Sequence, residues 1–420
     1  MSFTFTRGMR SWGDELSVHC PLFPVHLKSV CAVYFGITLD KMRSHLVNSI
    51  SILTNLIDLV HFIFAMAQTT KTLGQGANWR RNWGWSIKPL SALALLLAIA
   101  VIYGGAPPET SQGKTRLRLG YFPNITHAPA LIGTARGIFA QAVGDKVNIE
   151  TRVFNDGPTA MEALLAGEID VAYVGPSPAI NTFRKSQGRA LRVVAGACNG
   201  GALLIARPEL KIGGVRDLDG KRVGVPQLGG TQDISLRSFL AQNGLAPREK
   251  GGTVEIVPVK NPDILMLFKQ KQLDAAWTAE PWATRIILEA GAQIVLDERD
   301  LWKDKKLITT VIVARTGFTE QKPALVQAIV NGHLQTLAFI KSNPAEAQKI
   351  TNAEIKRLTG KALHQSVLTA AWRNVEFVSD PNPAGIERFA EMAVEAGYAK
   401  KGGSVRGIIA DQFLKKSKGN

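Results

Sequence analysis

Two glycine-containing turns carry residue types that could bind an anion. In the first, Gly175-Pro-Ser177 follows an apolar segment typical of a strand and opens a segment typical of a helix. In the second, Gln227-Leu-Gly-Gly-Thr231 precedes another predicted helix. The first N–H groups of a helix lack partners within the helix, and the helix dipole favours negative charge beside them. The contacts predicted for an oxyanion at these turns are Ser177, Gln227, Gly230 and Thr231.

A structural role for Ser177 and Thr231 also stays open. Ser and Thr are preferred N-cap residues, because the side-chain oxygen accepts a hydrogen bond from an N-terminal amide. Gly230 has no Cβ, so the backbone there could approach a ligand closely. The capping role and the binding role are compatible.

A polar loop, Phe122-Pro-Asn-Ile-Thr-His127, follows the first predicted strand. Ligands of open α/β sheets bind at such strand-to-helix loops. Asn124, Thr126 and His127 are therefore predicted contacts, although His127 could equally be an ordinary loop residue. Gly200, at the end of a later strand, could admit the tail of a ligand or relieve crowding.

The segment Glu280-Pro-Trp282 adds an aromatic ring and a carboxylate. Trp282 could form an apolar wall for the tail of a ligand, since small-molecule sites are mostly apolar. Glu280 would repel a bare oxyanion. It is therefore expected to orient a donor, such as Arg285, or to recognise an ammonium group on the ligand.

Strands and helices alternate in the segments that must position these residues. Strand, helix and strand patterns follow one another from Leu117 to Val174 and again from Leu191 to Trp277, and a further strand is predicted over 307–314. This alternation favours an α/β fold with mainly parallel strands. Helices are predicted after the last strand over 323–342, 344–359, 364–375, 383–396 and 404–414.

Composition excludes several function classes. The net charge is +16, but the sequence has no run of five or six like charges. It also has no helix-turn-helix, zinc-finger or RNA-recognition signature. No nucleic-acid partner is therefore expected. Phosphate-loop, dinucleotide-binding and Gly-x-Ser-x-Gly patterns are absent, and no catalytic residue, cofactor or metal site is predicted. Cys198 is alone in the main body and is expected to pack as a small apolar residue.

The N-terminal region has the pattern of an export signal. The basic residues Arg80, Arg81 and Lys88 precede an apolar run over 89–106. Its uncharged core suits a signal peptide better than a full membrane span of roughly 20 residues, but Pro107 disfavours cleavage directly after Ala106. Residues 66–111 are therefore expected to be a signal peptide or a membrane anchor. Translation from Met66 would make the extension over 1–65 a start-site artefact.

Four segments carry a family resemblance: 119–124, 164–178, 219–226 and 275–282. In this order they resemble the periplasmic substrate-binding proteins of sulfonate, taurine and nitrate ABC importers, and the aliphatic-sulfonate binders most closely. The resemblance implies a type II periplasmic binding protein, with two α/β lobes joined by two crossing strands and a helical C-terminal tail. Lobe 1 is expected over 115–202 plus 310–420, and lobe 2 over 203–309.

The same resemblance implies a function. A monomeric, non-enzymatic protein would capture a small anionic solute by hinge closure and deliver it to an ABC permease and its ATPase. It would work in the periplasm or on the outer face of the cytoplasmic membrane. An aliphatic sulfonate is the favoured solute, with nitrate, taurine, phosphonate and a pyrimidine thiamine precursor as alternatives. A membrane-tethered sensor and a thiamine-precursor-type enzyme are the alternatives of another class.

Overall fold

The computed structural model describes residues 114–401 and 403–418. These residues belong to one compact unit, Ser111–Asn420. The predicted extension over 1–65 and the predicted signal or anchor over 66–111 lie outside the described residues. Within the ranges described, no helix is both long enough and apolar enough to cross a membrane.

Two sheets organise the chain. The first has six strands in the order β11-β4-β10-β3-β1-β2, and the second has five in the order β7-β6-β8-β5-β9. The strands are β1 (Thr115–Tyr121), β2 (Val147–Val153), β3 (Val171–Val174), β4 (Leu191–Gly200), β5 (Ala202–Ala206), β6 (Arg222–Val225), β7 (Glu255–Pro258), β8 (Ala275–Ala279), β9 (Gln293–Asp297), β10 (Ile308–Arg315) and β11 (Val375–Phe377).

Each sheet has a parallel half, where β1 pairs with β2 and β3, and β6 pairs with β7 and β8. The central strands β3 and β8 are buried along their whole length. Continuous apolar runs of this kind are typical of parallel strands that are covered on both faces. The carboxyl ends of the parallel strands in each sheet lie at one edge, so the loops that follow them come together there.

The chain passes between the sheets at two places. It leaves the first sheet after β4 and enters β5 through Gly200 and Gly201, and it returns between β9 and β10. Gly200 and Gly201 have φ angles of 72° and 74°, which favour glycine. A Cβ on Gly200 would also lie 2.6 Å from the carbonyl oxygen of Asn374. This passage therefore depends on the two glycines.

Helices cover both sheets and follow most strands. They are α1 (Ala128–Ala135), α2 (Ile138–Val143), α3 (Gly157–Leu165), α4 (Pro176–Lys185), α5 (Thr231–Gln242), α6 (Asn261–Lys269), α7 (Trp282–Ala290), α8 (Thr316–Gln321), α9 (Pro323–Ser342), α10 (Pro344–Thr359), α11 (Gln365–Arg373), α12 (Pro383–Glu395) and α13 (Gln412–Lys418).

Two apolar clusters hold the first sheet between its helices. Tyr173 packs in the cluster that includes Ile329 of α9, and the adjacent Val174 packs in the cluster that includes Phe389 of α12. Neighbouring strand residues face opposite sides of a sheet, so β3 is fixed from both sides. The turn that follows β3 is thereby held in a defined position.

The sequence predicted the long helices well and the end of the chain poorly. The helices predicted over 323–342 and 344–359 are confirmed with those bounds. The helix predicted over 404–414 is wrong, because α13 begins only at Gln412. The backbone N–H of Val193 donates to the carbonyl of Ile408, and that of Ala410 donates to the carbonyl of Val193, both at 2.8 Å. This segment therefore bonds to β4 on both sides of Ile409, which a helix over the same residues would not allow.

Candidate functional site

A cavity of ≈ 40 Å³, here called the central cavity, lies where the carboxyl ends of strands from both sheets meet. A cavity of about 10–15 Å³ already holds one water molecule, so this space suits a compact group of a few heavy atoms. Its lining consists of Phe122, Asn124, Thr126, His127, Asn155, Asp156, Gly157, Gly175, Pro178, Pro226, Gln227, Gly230, Thr231, Gln232, Asn261, Ala279, Thr309 and Thr310.

Four helices begin at this cavity, α3 and α4 after strands of the first sheet and α5 and α6 after strands of the second. The Asp156 carboxylate caps α3 by accepting from the N–H of Thr159 at 2.8 Å. Among the described residues, no side chain caps α4, α5 or α6. Pro176, Pro178 and Pro262 have no backbone N–H, and the N–H of Asp263 already donates to the carbonyl of Lys260 at 2.8 Å. The amides of Ser177 in α4 and of Thr231 and Gln232 in α5 stay available as donors, and the helix dipoles add positive potential.

Ser177 and Thr231 do not N-cap their helices. The N-cap residues are Gly175 and Gly230, whereas Ser177 and Thr231 lie one or two positions inside. Neither hydroxyl has a hydrogen-bond partner among the described residues, although both are buried. The capping interpretation of Ser177 and Thr231 is therefore wrong.

The beginnings of α4 and α5 touch each other. A Cβ built on Gly175 would lie 2.2 Å from the Thr231 hydroxyl oxygen, a distance that no real side chain could hold. Glycine at position 175 thus permits the turn after β3 to approach the turn after β6. Two helix N-termini from different sheets face one small space.

Threonine hydroxyls add donors to this space. The Thr231 hydroxyl and the Thr310 hydroxyl both lack a partner among the described residues, and the two side chains are 5% and 1% exposed. Thr310 stands on β10, the strand on which the chain returns to the first sheet. The neighbouring Thr309 hydroxyl is already used, because it donates to the carbonyl of Gly200. A buried hydroxyl without a partner is costly, so a ligand that accepts hydrogen bonds would relieve it.

Two asparagines at the cavity have their acceptors occupied. The Asn124 Oδ1 accepts from the Trp282 indole N–H at 2.8 Å, and the Asn261 Oδ1 accepts from the Thr278 hydroxyl at 2.7 Å. Each amide group therefore retains its NH₂ as the group available for further bonding. This arrangement biases both side chains towards donation.

His127 is a neutral donor. Its Nδ1 accepts from the backbone N–H of Phe122 at 3.3 Å, and its ring stacks on the Phe122 ring with centroids 4.4 Å apart. Burial lowers the pKa of His127 to about 3, so the ring is uncharged at neutral pH. The proton of the neutral ring then resides on Nε2, because Nδ1 is the acceptor.

None of the described residues that line the central cavity is Lys or Arg. The carboxylate of Asp156 is the acid among them, and it is engaged at the start of α3. Any positive potential in the cavity must therefore come from helix dipoles, amides, hydroxyls and the imidazole. These groups suit a ligand that brings its own negative charge and only accepts hydrogen bonds.

Six of the ten predicted contacts line the central cavity: Asn124, Thr126, His127, Gln227, Gly230 and Thr231. Ser177, Gly200, Glu280 and Trp282 do not line it. Ser177 is buried and lies two residues after the lining residue Gly175. Gly200 lies at the passage between the sheets.

Glu280 is built into the fold beside the passage between the sheets. Its carboxylate accepts from the backbone N–H of Thr284 at 3.1 Å, from the Thr284 hydroxyl at 2.7 Å and from the Asn374 side-chain amide at 2.7 Å. Burial raises the pKa of Glu280. Arg285 pairs with Glu289 at 2.8 Å, so Glu280 does not orient it. Glu280 thus lies away from the position where it could meet a ligand in the central cavity.

Sequence reasoning missed several lining residues. Asn155-Asp-Gly157 and Asn261 each precede a proline at the start of a helix, which is the same signal that marked the turn at Gly175. These positions could have been found by applying that pattern throughout. Thr310 carries no such signal, because it lies within a strand and its contact with the cavity depends on the sheet order.

Comparisons with known proteins agree with this architecture. A family model described as the NMT1-like family matches residues 110–355. A protein of Brucella abortus (strain 2308), named as a binding protein, is 24% identical over 298 residues, which are 69% of this chain and 88% of that protein. The taurine-binding periplasmic protein of Escherichia coli (strain K12) is 26% identical over 218 residues, 51% of this chain and 64% of that protein.

Solved structures share the fold. The alkanesulfonate-binding protein SsuA from Xanthomonas axonopodis pv. citri bound to MOPS superposes with a TM-score of 0.57 at 18% identity, over 68% of this chain and 94% of that chain. The TM-score supports a shared fold of two sheets and surrounding helices, and at this identity the likeness concerns the fold alone.

The state of His127 can be measured directly. We expect the imidazole to stay neutral from pH 8 to pH 5, with its proton on Nε2, because burial lowers the pKa to about 3 and the Phe122 N–H holds Nδ1 as an acceptor. Long-range ¹H–¹⁵N NMR spectra would report both features, and a His127→Gln variant would assign the signals. A titration midpoint between pH 5 and pH 8, or a proton on Nδ1, would contradict this assignment.

Proposed function

The chain belongs to the NMT1-like family, and on that premise we propose that it is the solute-binding component of an ABC importer, which captures a small organic anion with an aliphatic sulfonate favoured. The observation that carries the proposal is the set of unused donors in the central cavity. The buried hydroxyls of Thr231 and Thr310 and the uncapped starts of α4 and α5 are contributed by both sheets. A fully ionised oxyanion accepts hydrogen bonds and offers none, so it matches this set.

The chemistry of the lining favours a sulfonate over a taurine-like zwitterion. A sulfonate group is compact and needs only donors, which suits a cavity of ≈ 40 Å³. An ammonium group on the same molecule would need an acceptor nearby. Glu280, the residue expected to supply one, is buried and bonded to Thr284 and Asn374 instead. Nitrate is also an acceptor-only anion and is the main competing solute.

We further propose that each sheet is the centre of one lobe, with lobe 1 over 115–202 plus 310–420 and lobe 2 over 203–309. The lobes would open and close about the two passages between β4 and β5 and between β9 and β10. An anion held by α4 on one side and α5 on the other would favour the closed arrangement, because opening would remove about half of its donors. Binding and closure would thus be one event.

Delivery of the solute and the location of the protein follow from the role as a solute-binding component. The loaded protein would deliver its solute to an ABC permease and its ATPase in the membrane. It would work as a monomer in the periplasm or on the outer face of the cytoplasmic membrane, where the N-terminal apolar run over 89–106 would export or anchor it. The E. coli relative is itself named as a periplasmic protein, which supports this location.

A panel of small solutes tests the substrate class. We expect ethanesulfonate to raise the Tm of the full-length chain and to show saturable binding in calorimetry, because it supplies a compact oxyanion without a cationic group. Taurine should bind more weakly than ethanesulfonate, since the one carboxylate in the described lining, Asp156, already caps α3 and would have to serve the ammonium as well. If nitrate or an aminopyrimidine raises the Tm while ethanesulfonate leaves it unmoved, the sulfonate assignment is wrong.

Two isosteric substitutions test the donors. Thr231→Val and Thr310→Val should each weaken ethanesulfonate binding by about 10–100-fold, the usual worth of a hydrogen bond to a charged group. The Tm without ligand should stay the same or rise, because neither hydroxyl has a partner to lose. Calorimetry and thermal unfolding measure the two effects separately.

Thr351→Val is the matched control for these variants. Thr351 is buried in α10, and its hydroxyl donates to the carbonyl of Ala347 at 2.8 Å. This variant should lose stability and keep full affinity, the reverse of the pattern expected at Thr231 and Thr310. Unchanged affinity in both cavity variants would remove these hydroxyls from the binding site.

A further inference from the structure

A second and larger cavity, here called the outer pocket, opens beside the central cavity. Its volume is ≈ 400 Å³. It reaches the surface at Val153, whose side chain is 42% exposed. Much of its wall is apolar. The apolar residues come from the loop after β1, from the starts of α6 and α7, and from α10 and the segment after it: Pro123, Pro262, Trp282, Ile355, Leu358 and Leu363.

The outer pocket and the central cavity are contiguous. Asn155 lines both spaces. The loop after β1 lines the central cavity at Phe122 and the outer pocket at Pro123. The start of α6 does the same at Asn261 and Pro262. A group leaving the central cavity past Asn155 therefore enters the outer pocket.

Trp282 joins the two spaces and is held in place. Its indole N–H donates to Asn124 of the central cavity at 2.8 Å, while its ring belongs to the outer pocket. The guanidinium of Arg285 lies 5.1 Å from the centre of that ring. The ring is thus fixed, and because the residue is only 5% exposed and Arg285 lies over the ring, it offers a ligand an apolar contact at its exposed part.

The charged residues at the outer pocket are cationic. Arg285 and Lys361 line it, and none of the described lining residues is Asp or Glu. Glu289 bonds Arg285 at 2.8 Å and lies 3.9 Å from Lys269, and its pKa is lowered first by the Arg285 hydrogen bond and also by the charge of Lys361. Lys361 has no salt bridge among the described residues, so the lining carries an excess of positive charge.

We propose that the outer pocket receives the tail of the bound solute, and that this pocket narrows the solute from the aliphatic sulfonates favoured by the central cavity alone to an arenesulfonate whose ring bears a second anionic group at its far end. This inference rests on the proposed function, in which the sulfonate occupies the central cavity. A cavity of about 150 Å³ already binds benzene in another protein, so ≈ 400 Å³ holds a ring with a substituent. The ring lies against Trp282, and the second anion meets Arg285 and Lys361. A cationic tail is rejected, because it would meet two cations and no lining carboxylate.

Calorimetry on the full-length chain with four ligands tests the tail. Benzenesulfonate should bind at least about tenfold more tightly than ethanesulfonate, because its ring buries apolar surface. A para-carboxylate, as in 4-sulfobenzoate, should tighten binding by a further two- to fivefold or so at low salt, and high salt should remove this gain. A para-aminomethyl group should weaken binding relative to benzenesulfonate.

Two pairs of variants locate the tail. Lys361→Gln should remove most of the preference for 4-sulfobenzoate over benzenesulfonate, whereas Lys349→Gln, a change at an exposed lysine of α10 that does not line the outer pocket, should keep it. Leu358→Ala should reduce the preference for benzenesulfonate over ethanesulfonate. Leu165→Ala, at an exposed leucine of a different pocket, should not reduce it.

The outcomes separate the two proposals. If ethanesulfonate binds but neither aromatic ligand binds more tightly, or if Leu165→Ala acts and Leu358→Ala does not, the tail inference is wrong and the binding function stands. The inference is also wrong if Lys349→Gln matches Lys361→Gln or the aminomethyl ligand binds best. If no sulfonate binds at all, the proposed function itself fails.

Discussion

The central cavity is defined by hydrogen-bond donors that the protein leaves without partners. The helices α4 and α5 begin without side-chain caps from the described residues, and the Thr231 and Thr310 hydroxyls are buried and unpaired. Each buried donor without a partner costs roughly 1–3 kcal/mol. The two sheets tolerate this cost because β3 is packed on both faces, and β6 is held between β7 and β8, so the turns that lead from β3 into α4 and from β6 into α5 are fixed. A negatively charged guest would recover much of it.

The absence of Lys and Arg from the described lining has a further consequence. A buried cation would attract an anion from one lobe alone and would hold it while the lobes part. Amides, hydroxyls and a neutral imidazole each act over a short range, so their combined effect depends on both lobes being in place. On this account Gly175 matters as much as any donor, since it lets α4 come close enough to α5 for both to reach one ligand. Under the proposed arrangement of two lobes, affinity and closure would therefore be coupled by geometry.

The features that could be predicted from the sequence are those marked by neighbouring residues in the chain. The turns at Gly175 and Gly230 are marked by a glycine between a buried strand and an amphipathic helix, and both lie at the central cavity. Thr310 could not be predicted, because its place depends on β10 running antiparallel to β3 in the assembled sheet. The strand over 375–377 and the extended segment near Ile409 were missed for the same reason, since each exists only through bonds to β4. The bond from Asn374 to Glu280 could not be predicted, because the two residues are remote in sequence.

A crystal structure of the full-length chain with ethanesulfonate would test the bridging of the two lobes most directly. The account predicts sulfonate oxygens within hydrogen-bond distance of the Thr231 and Thr310 hydroxyls and of backbone amides at the starts of both α4 and α5. A sulfonate bound to donors from one sheet's helices alone, or bound outside the central cavity, would contradict it.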